Sequence, residues 1–458
     1  MTRLFLAILL ALAACSPVDT VERAETTVLE PEIRLPAMKQ FNARRGRPTN
    51  ASNGQIAQDF LELSFQMESG RRLPFLTKFD GPIKVSVQPG APSGLERELN
   101  QLLGRLRSEA NIPISRANAG ETGQIVVQAI PRRTLQRAVP NAACFVVPNV
   151  AGWTDFKRSR GRGKTDWANI DRRTRATVII PSDVSPQEVR DCLHEEIAQA
   201  LGPLNDLYRL HDSIFNDDNF HTVLTGYDML ILRAYYSREL VNGMTRAQVA
   251  QVLPSVLARI NPNGRKLSGS IVAETPTVWR RSISSALSNR TTDNRRTRFA
   301  RDAVDIANRE GWSDNRLAFS LYVHGRTSVG SDNETALKSF LQAGDIFRSR
   351  YGNSVHTAHI ATQMAAFALS GRRNDLAVRI IDDAIPAART SQNAALLATL
   401  LMMKAEAFDA IGRVNEARAI RREALGWGRY GFGKDQNVVS RLREIQALMP
   451  SDATERDS

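Results

Sequence analysis

The chain has 458 residues, 42% of them hydrophobic and 24% charged. That balance excludes a disordered polymer and allows roughly two to three folded domains. The formal net charge is +13, yet no basic helix with interleaved aromatics and no recognised DNA-binding motif is present, so nucleic acid is not an expected partner.

At the N-terminus Arg3 precedes an apolar run over residues 4–14, too short to span a bilayer. The run ends Leu12-Ala13-Ala14-Cys15, which resembles a bacterial lipobox. The resemblance implies a signal peptide over 1–14, cleavage before Cys15, and lipid on its thiol and new amine. Acyl chains bury about 0.8 kcal/mol per CH₂ and anchor a protein durably. Ser16 stands where an aspartate would favour inner-membrane retention, so the expected location is the outer membrane, facing the periplasm. There an anionic envelope polymer or lipopolysaccharide is the natural match for the positive charge. Residues 15–72 read as the lipidated cysteine and a flexible tether, Glu- and Thr-rich, then basic at Arg44, Arg45 and Arg47. A short helix over 56–67 is expected to dock on the adjoining domain.

Residues 73–260 read as one domain. Strands are predicted over 83–87, 124–130, 144–147 and 176–180, with an amphipathic helix over 95–108 that places Leu95, Leu99, Leu102, Leu103 and Leu106 together. Three cysteines are present. Cys15 goes to lipid, and a disulfide between Cys144 and Cys192 suits an oxidising compartment, the other possibility being two buried thiols. The basic segment 156–164, FKRSRGRGK, lacks the GxxxxGK[ST] order of a phosphate-binding loop. It reads as a solvated loop, or as the face of a polymer-binding module.

The central stretch is 192–206, CLHEEIAQALGPLND. Ser185, Pro186 and Glu188 predict a helix start, and Val189, Leu193, Ile197 and Ala200 form one apolar face. Glu195 and Gln199 lie about 40° apart beside it. Gly202 is expected to end the helix in a left-handed cap, with Asn205 and Asp206 folding back beneath. The layout resembles the metzincin zinc helix HExxHxxGxxH, with Glu195, Gln199 and Asn205 in place of the three histidines, while the general-base glutamate, as Glu196, and the glycine, as Gly202, survive. Zinc wants three N, S or carboxylate ligands, and amide carbonyls suit calcium better, so the resemblance implies a scaffold without its metal. The segment Asp212-Ser213-Ile214-Phe215 resembles the metzincin turn with Phe215 replacing methionine, and LTGYDMLILRAYY from Leu224 resembles the helix after that turn. Together the motifs resemble a bacterial lipoprotein family of unknown function with a degenerate metzincin-like domain. His211 and His221 fall near this region, where with Glu195 or Asp206 they form a rearranged metal set in the alternative reading.

Residues 261–275 read as a linker. Beyond them small residues recur about every 41 positions: Ala303, Ala343, Ala384 and Ala424, and again Ala336, Ala377 and Ala417. Helix pairs are predicted over 277–309, 315–350, 355–388 and 394–426, with a capping helix over 438–448 and with His356 and His359 on helix surfaces. These pairs resemble tetratricopeptide repeats of the longer, kinesin-light-chain type, which implies a solenoid that holds a peptide or protein partner.

The expected protein is therefore an α+β zincin-like domain followed by an all-α tetratricopeptide-like solenoid over 276–450. The favoured function is an envelope-anchored binding or scaffold protein, with Glu195, Gln199, Asn205 and Asp206 lining a cleft and no cofactor. The alternatives are a metal-dependent hydrolase using zinc or calcium with Glu196 as general base, and a cell-wall or lipopolysaccharide binder.

Overall fold

A computed structural model describes residues 34–140, 142–269 and 272–450. The expected lipid site at Cys15 and the signal peptide lie outside these residues.

The first part is an α/β domain. Helix α1 (Asn53–Phe65) starts at Ser52, which closes a reciprocal cap with Gln55. Then come β1 (Ile83–Val87), α2 (Leu95–Ala110), β2 (Ile114–Arg116), β3 (Ile125–Ile130), α3 (Arg132–Ala138), β4 (Phe145–Pro148), α4 (Trp153–Ser159), β5 (Ala176–Pro181), α5 (Pro186–Leu201), α6 (Gly226–Tyr235) and α7 (Arg246–Ile260). The five strands form one mixed sheet in the order β2-β1-β3-β5-β4. All neighbours are parallel except β4, which runs antiparallel to β5 at the edge, with Val146 opposite Val178. β5 is buried on both faces over its whole length, as its continuous apolar run requires of a central strand. The short β2 escaped prediction because three residues carry too little alternation to read.

α2 and α5 pack against the sheet, and the predicted leucine face of α2 is fully buried. Cys144, just before β4, and Cys192, in α5, stand at disulfide distance with Cα atoms 5.9 Å apart. The bond ties the edge strand to the central helix.

The second part is an array of packed helix pairs: α8 (Thr277–Leu287) with α9 (Asp293–Arg309), α10 (Asn315–Ser328) with α11 (Asn333–Tyr351), α12 (Val355–Ser370) with α13 (Asn374–Thr390), and α14 (Ala394–Ala410) with α15 (Val414–Gly431). Helix α16 (Asp435–Gln446) closes it. Every alanine of the recurring sets is buried, because helices approach closely only where side chains are small. Pro254 and Pro386 both sit inside helices.

The two parts are packed together. Tyr208 and Phe220, from the loop between α5 and α6, belong to the apolar core of the helical array. Tyr208 meets the Trp279 ring edge-on at 4.9 Å, and Phe220 does the same to Phe319 and Tyr322. Asn315 donates its side-chain amide to the Tyr208 carbonyl, and Arg190 of α5 donates to the Gln392 carbonyl. These contacts fall mainly on the first helices of the pairs, whose surfaces are buried far more completely than those of the second helices.

Residues 35–52, without helix or strand, run over both parts. Lys39 N–H donates to the Gly426 carbonyl, and Phe41 stacks on Trp427. Further on, Gly46 N–H donates to Glu109. At the crossing with α6, a Cβ on Gly226 would sit 1.8 Å from the Arg47 carbonyl oxygen, so only glycine admits this strap.

Candidate functional site

Helix α5 forms as its sequence dictates. Ser185 Oγ accepts from Glu188 N–H at 3.1 Å, and Pro186 occupies the first turn. Its end differs from expectation. Gly202 has φ −174°, not a left-handed value. The glycine is required for space, since a Cβ would stand 2.9 Å from the Tyr235 ring. The terminal carbonyls are satisfied by a cation instead. Arg173, 3% exposed, donates to the carbonyls of Gln199, Ala200 and Gly202 at 2.5–2.8 Å. A buried guanidinium at a helix C-terminus meets both the orphan acceptors and the negative end of the dipole. Trp167 lies flat against it at 4.6 Å.

The turn 212–215 is held by one carboxylate. Asp228, fully buried, accepts from Ser213 Oγ, from Ile214 N–H and from Thr225 N–H. Thr225 and Asp228 close the predicted capping box of α6. Phe215 is in the core. His194 is structural: its Nδ1 accepts from Leu224 N–H, and burial drives its pKa far down.

Glu195, Glu196, Gln199 and Asp206 lie around the end of α5 with Asn205 in the turn that follows, and two more acids join them. Glu68, just after α1, accepts from Gln199 Nε2 at 3.3 Å and lies within hydrogen-bonding reach of Asp206. Asp217, in the loop, adds its charge to Glu68, Glu195 and Asp206. Asn205 donates its amide to the Glu62 carbonyl at 3.1 Å. α1 is pinned beneath this turn, where Arg209 binds Asp59 and Glu62 while Tyr227 donates to Asp59.

Burial first, then the charge of neighbouring acids, raises every carboxyl of the group. Glu195 is pushed up to about 7, while Glu196 and Asp206 are held well above the carboxylate range. Glu196 Oε2, Asn205 Oδ1 and Asp206 Oδ1 are buried acceptors without a donor. Two carboxyls in reach of one another, such as Glu68 and Asp206, form a hydrogen bond only when one keeps its proton.

The residues do not fit the zinc that the metzincin resemblance implies. Two of its three positions hold amides, Gln199 and Asn205, whose neutral carbonyl oxygens are poor zinc ligands. The other candidate donors within 4.8 Å of one another are Glu195, Glu196 and the sulfur of Cys144. That sulfur is bonded to Cys192 and has no thiolate to offer. The rearranged set fails as well. His211 and His221 lie with Asp212, Asp218 and His356, away from Glu195. His356 itself, expected on a helix surface, is 1% exposed because the loop of the first domain covers it.

Glu68 was missed by sequence reasoning because it sits in an irregular turn that no motif marks. Asp217 had a signal, the acidic pair Asp217-Asp218 close behind the central helix. The basic segment 156–164 is partly helical, in α4, and Lys164 pairs with Asp155 at 3.1 Å.

These features define an α/β domain carrying a buried carboxyl cluster and fused to a helical array. Residues 53–255 match the family described as Protein of unknown function (DUF2927), so the chain contains a domain of that family. No curated protein and no solved structure matches the chain significantly. Among the described residues no helix is long and apolar enough to cross a membrane.

Proposed function

We propose that the protein is a lipid-anchored binding protein of the bacterial cell envelope. Its first domain is a metzincin-like scaffold without peptidase chemistry, and its tetratricopeptide-like array is joined to it as one body. The observation that carries this reading is the donor set at the end of α5. The positions a zinc would use hold Gln199 and Asn205, neutral amides, beside acids that burial pushes well above the usual carboxylate range. Zinc sites are built from three N, S or carboxylate donors, and two of the three positions here offer only amide oxygens. The sheet supports the scaffold reading in that its antiparallel edge strand, β4, packs beside α5 and is tied to it through Cys144 and Cys192.

Because the first helices of the array are packed against Tyr208, Phe220 and α5, a protein partner docks on the second helices, whose outer faces carry exposed residues such as Leu341 and Val414.

Full-length protein purified in detergent without chelator should contain no stoichiometric zinc or calcium by elemental mass spectrometry, and should leave a peptide library uncut. Near-stoichiometric metal that falls in Gln199→Ala, with cleavage lost in Glu196→Gln, would overturn the proposal.

A further inference from the structure

A second site lies elsewhere. A cleft of about 810 Å³ opens between the strap, the loop 211–226 and the array, at the α11–α12 and α13–α14 turns. Three sequence segments that are far apart in the chain supply its charge.

The strap contributes Arg44, Arg45 and Arg47, all exposed. Among the described residues none of the three has a carboxylate partner, whereas Arg105, deeper in the wall, is already paired with Glu109 at 2.6 Å. The strap is fixed before Arg44 and Arg45 by Phe41 on Trp427 and after them by the crossing at Gly46 and Gly226, where the Arg47 backbone itself is held. Its side chains therefore start from a held backbone. From the array comes Arg350, whose guanidinium reaches the Ser313 hydroxyl at 2.6 Å and, among the described residues, no carboxylate.

The floor holds imidazoles with nothing to bind. His356 is buried, and neither of its ring nitrogens has a hydrogen-bond partner; the nearest carboxylate oxygen, on Asp218, is 3.7 Å from Nε2. His221 Nδ1 is buried and unpartnered too, while its Nε2 faces Asp212 at 3.5 Å. His211 lies at the rim, stacked on Tyr351 at 4.0 Å. A neutral imidazole always carries one N–H donor, and a buried donor left unsatisfied costs about 1–3 kcal/mol. Asp218 and Asp212 stand too far from these rings for close hydrogen bonds, so the floor has donor capacity to spare. Asp212 is the carboxylate in the lining, and His221 already faces it.

We propose that this cleft binds a ligand bearing a phosphate or pyrophosphate group, with Arg44, Arg45, Arg47 and Arg350 gripping the anion and His356 and His221 donating to it from below. Four guanidiniums exceed what one carboxylate neutralises, and their planar forks match phosphate oxygens two at a time. The volume exceeds a phosphate alone, and Val223, Val355 and Pro386 offer apolar wall to the rest of the ligand. The proposal is independent of whether the carboxyl cluster of α5 is inert.

The test is calorimetric titration of the full-length protein in detergent with sodium pyrophosphate. The expected result is saturable binding with a dissociation constant below about 1 mM, weakened by added salt. The triple variant R44A/R45A/R47A should bind at least roughly tenfold more weakly while keeping its melting temperature, because its side chains are exposed. His356→Gln, which keeps a donor, should bind better than His356→Leu. Neutralising Lys157, Arg158, Arg160 and Arg162 serves as the control for general charge and should leave affinity unchanged. Two competitors assign the source. Displacement of pyrophosphate by glycerol 3-phosphate alone marks a soluble phosphorylated ligand, and displacement by phosphatidic acid vesicles marks a lipid headgroup. Absence of binding by the unaltered protein, equal binding by the triple arginine variant, or equal loss in the control variant would each overturn the proposal.

Discussion

Glu195→Gln tests the electrostatics of the central helix. In the folded protein Glu195 is raised from 4.5 to about 7, by burial first and then by the charges of Glu68, Asp217 and Asp191. The folded state therefore holds a proton that the unfolded chain releases. Between about pH 4.5 and pH 7 unfolding sheds that proton, so stability falls as pH rises through this window and the full penalty remains above it. Each tenfold change in acidity is worth about 1.4 kcal/mol, which makes the penalty about 3 kcal/mol; water at the partly exposed edge of the side chain trims it toward about 2 kcal/mol. Glutamine mimics the protonated acid and never ionises. At about pH 4 variant and parent should melt together, and at about pH 8 the variant should be more stable by about 2–3 kcal/mol. With an unfolding entropy of about 2.1 cal/mol/K per residue over roughly 400 residues, the melting temperature rises by about 2–4 °C. Scanning calorimetry of both proteins at the two pH values reads this directly. A variant that melts at or below the parent at the higher pH refutes the reasoning. If chelator also lowers the melting temperature of the parent, a cation rather than protons is neutralising the cluster.

Three further outcomes are expected. Replacing Cys144 and Cys192 by serine opens a loop of 48 residues, which loop entropy values at roughly 4 kcal/mol, measurable by chemical denaturation. Gly202→Ala presses a methyl into the Tyr235 ring and should cost about 1–3 kcal/mol in the same assay, whereas a left-handed cap would predict the smaller penalty of a backbone strain. Phe220→Ala removes a ring shared by Phe319, Tyr322, Phe347 and His356. It should cost about 3–5 kcal/mol and split the single thermal transition into two, one for each part; an unsplit transition at the parent's temperature would show that the loop does not couple them.

Much of this protein is local and was legible. The near-41-residue recurrence of alanines placed all four helix pairs, because close helix packing demands small residues at fixed spacing. Ser185, Thr225 and Thr245 announced their helices through caps that need only neighbours three residues on. The gathering of Glu195, Glu196, Gln199, Asn205 and Asp206 came from one helix and its turn. The reason for Gly202 was not legible, since the ring of Tyr235 and the cation of Arg173 reach it from other elements.

The sequence alone determined the periodic elements, the cysteine pair and the composition of the central helix, since helix formation and capping depend on residues a few positions apart. The tertiary structure alone decided that Glu68 joins the acids of α5 and that residues 35–52 form a strap. It alone put Tyr208 and Phe220 inside the helical array, and His221 beside His356 with three arginines above them. Those juxtapositions arise from burial of apolar surface between distant segments, and the charge that burial traps depends on which segments meet, which no spacing along the chain records.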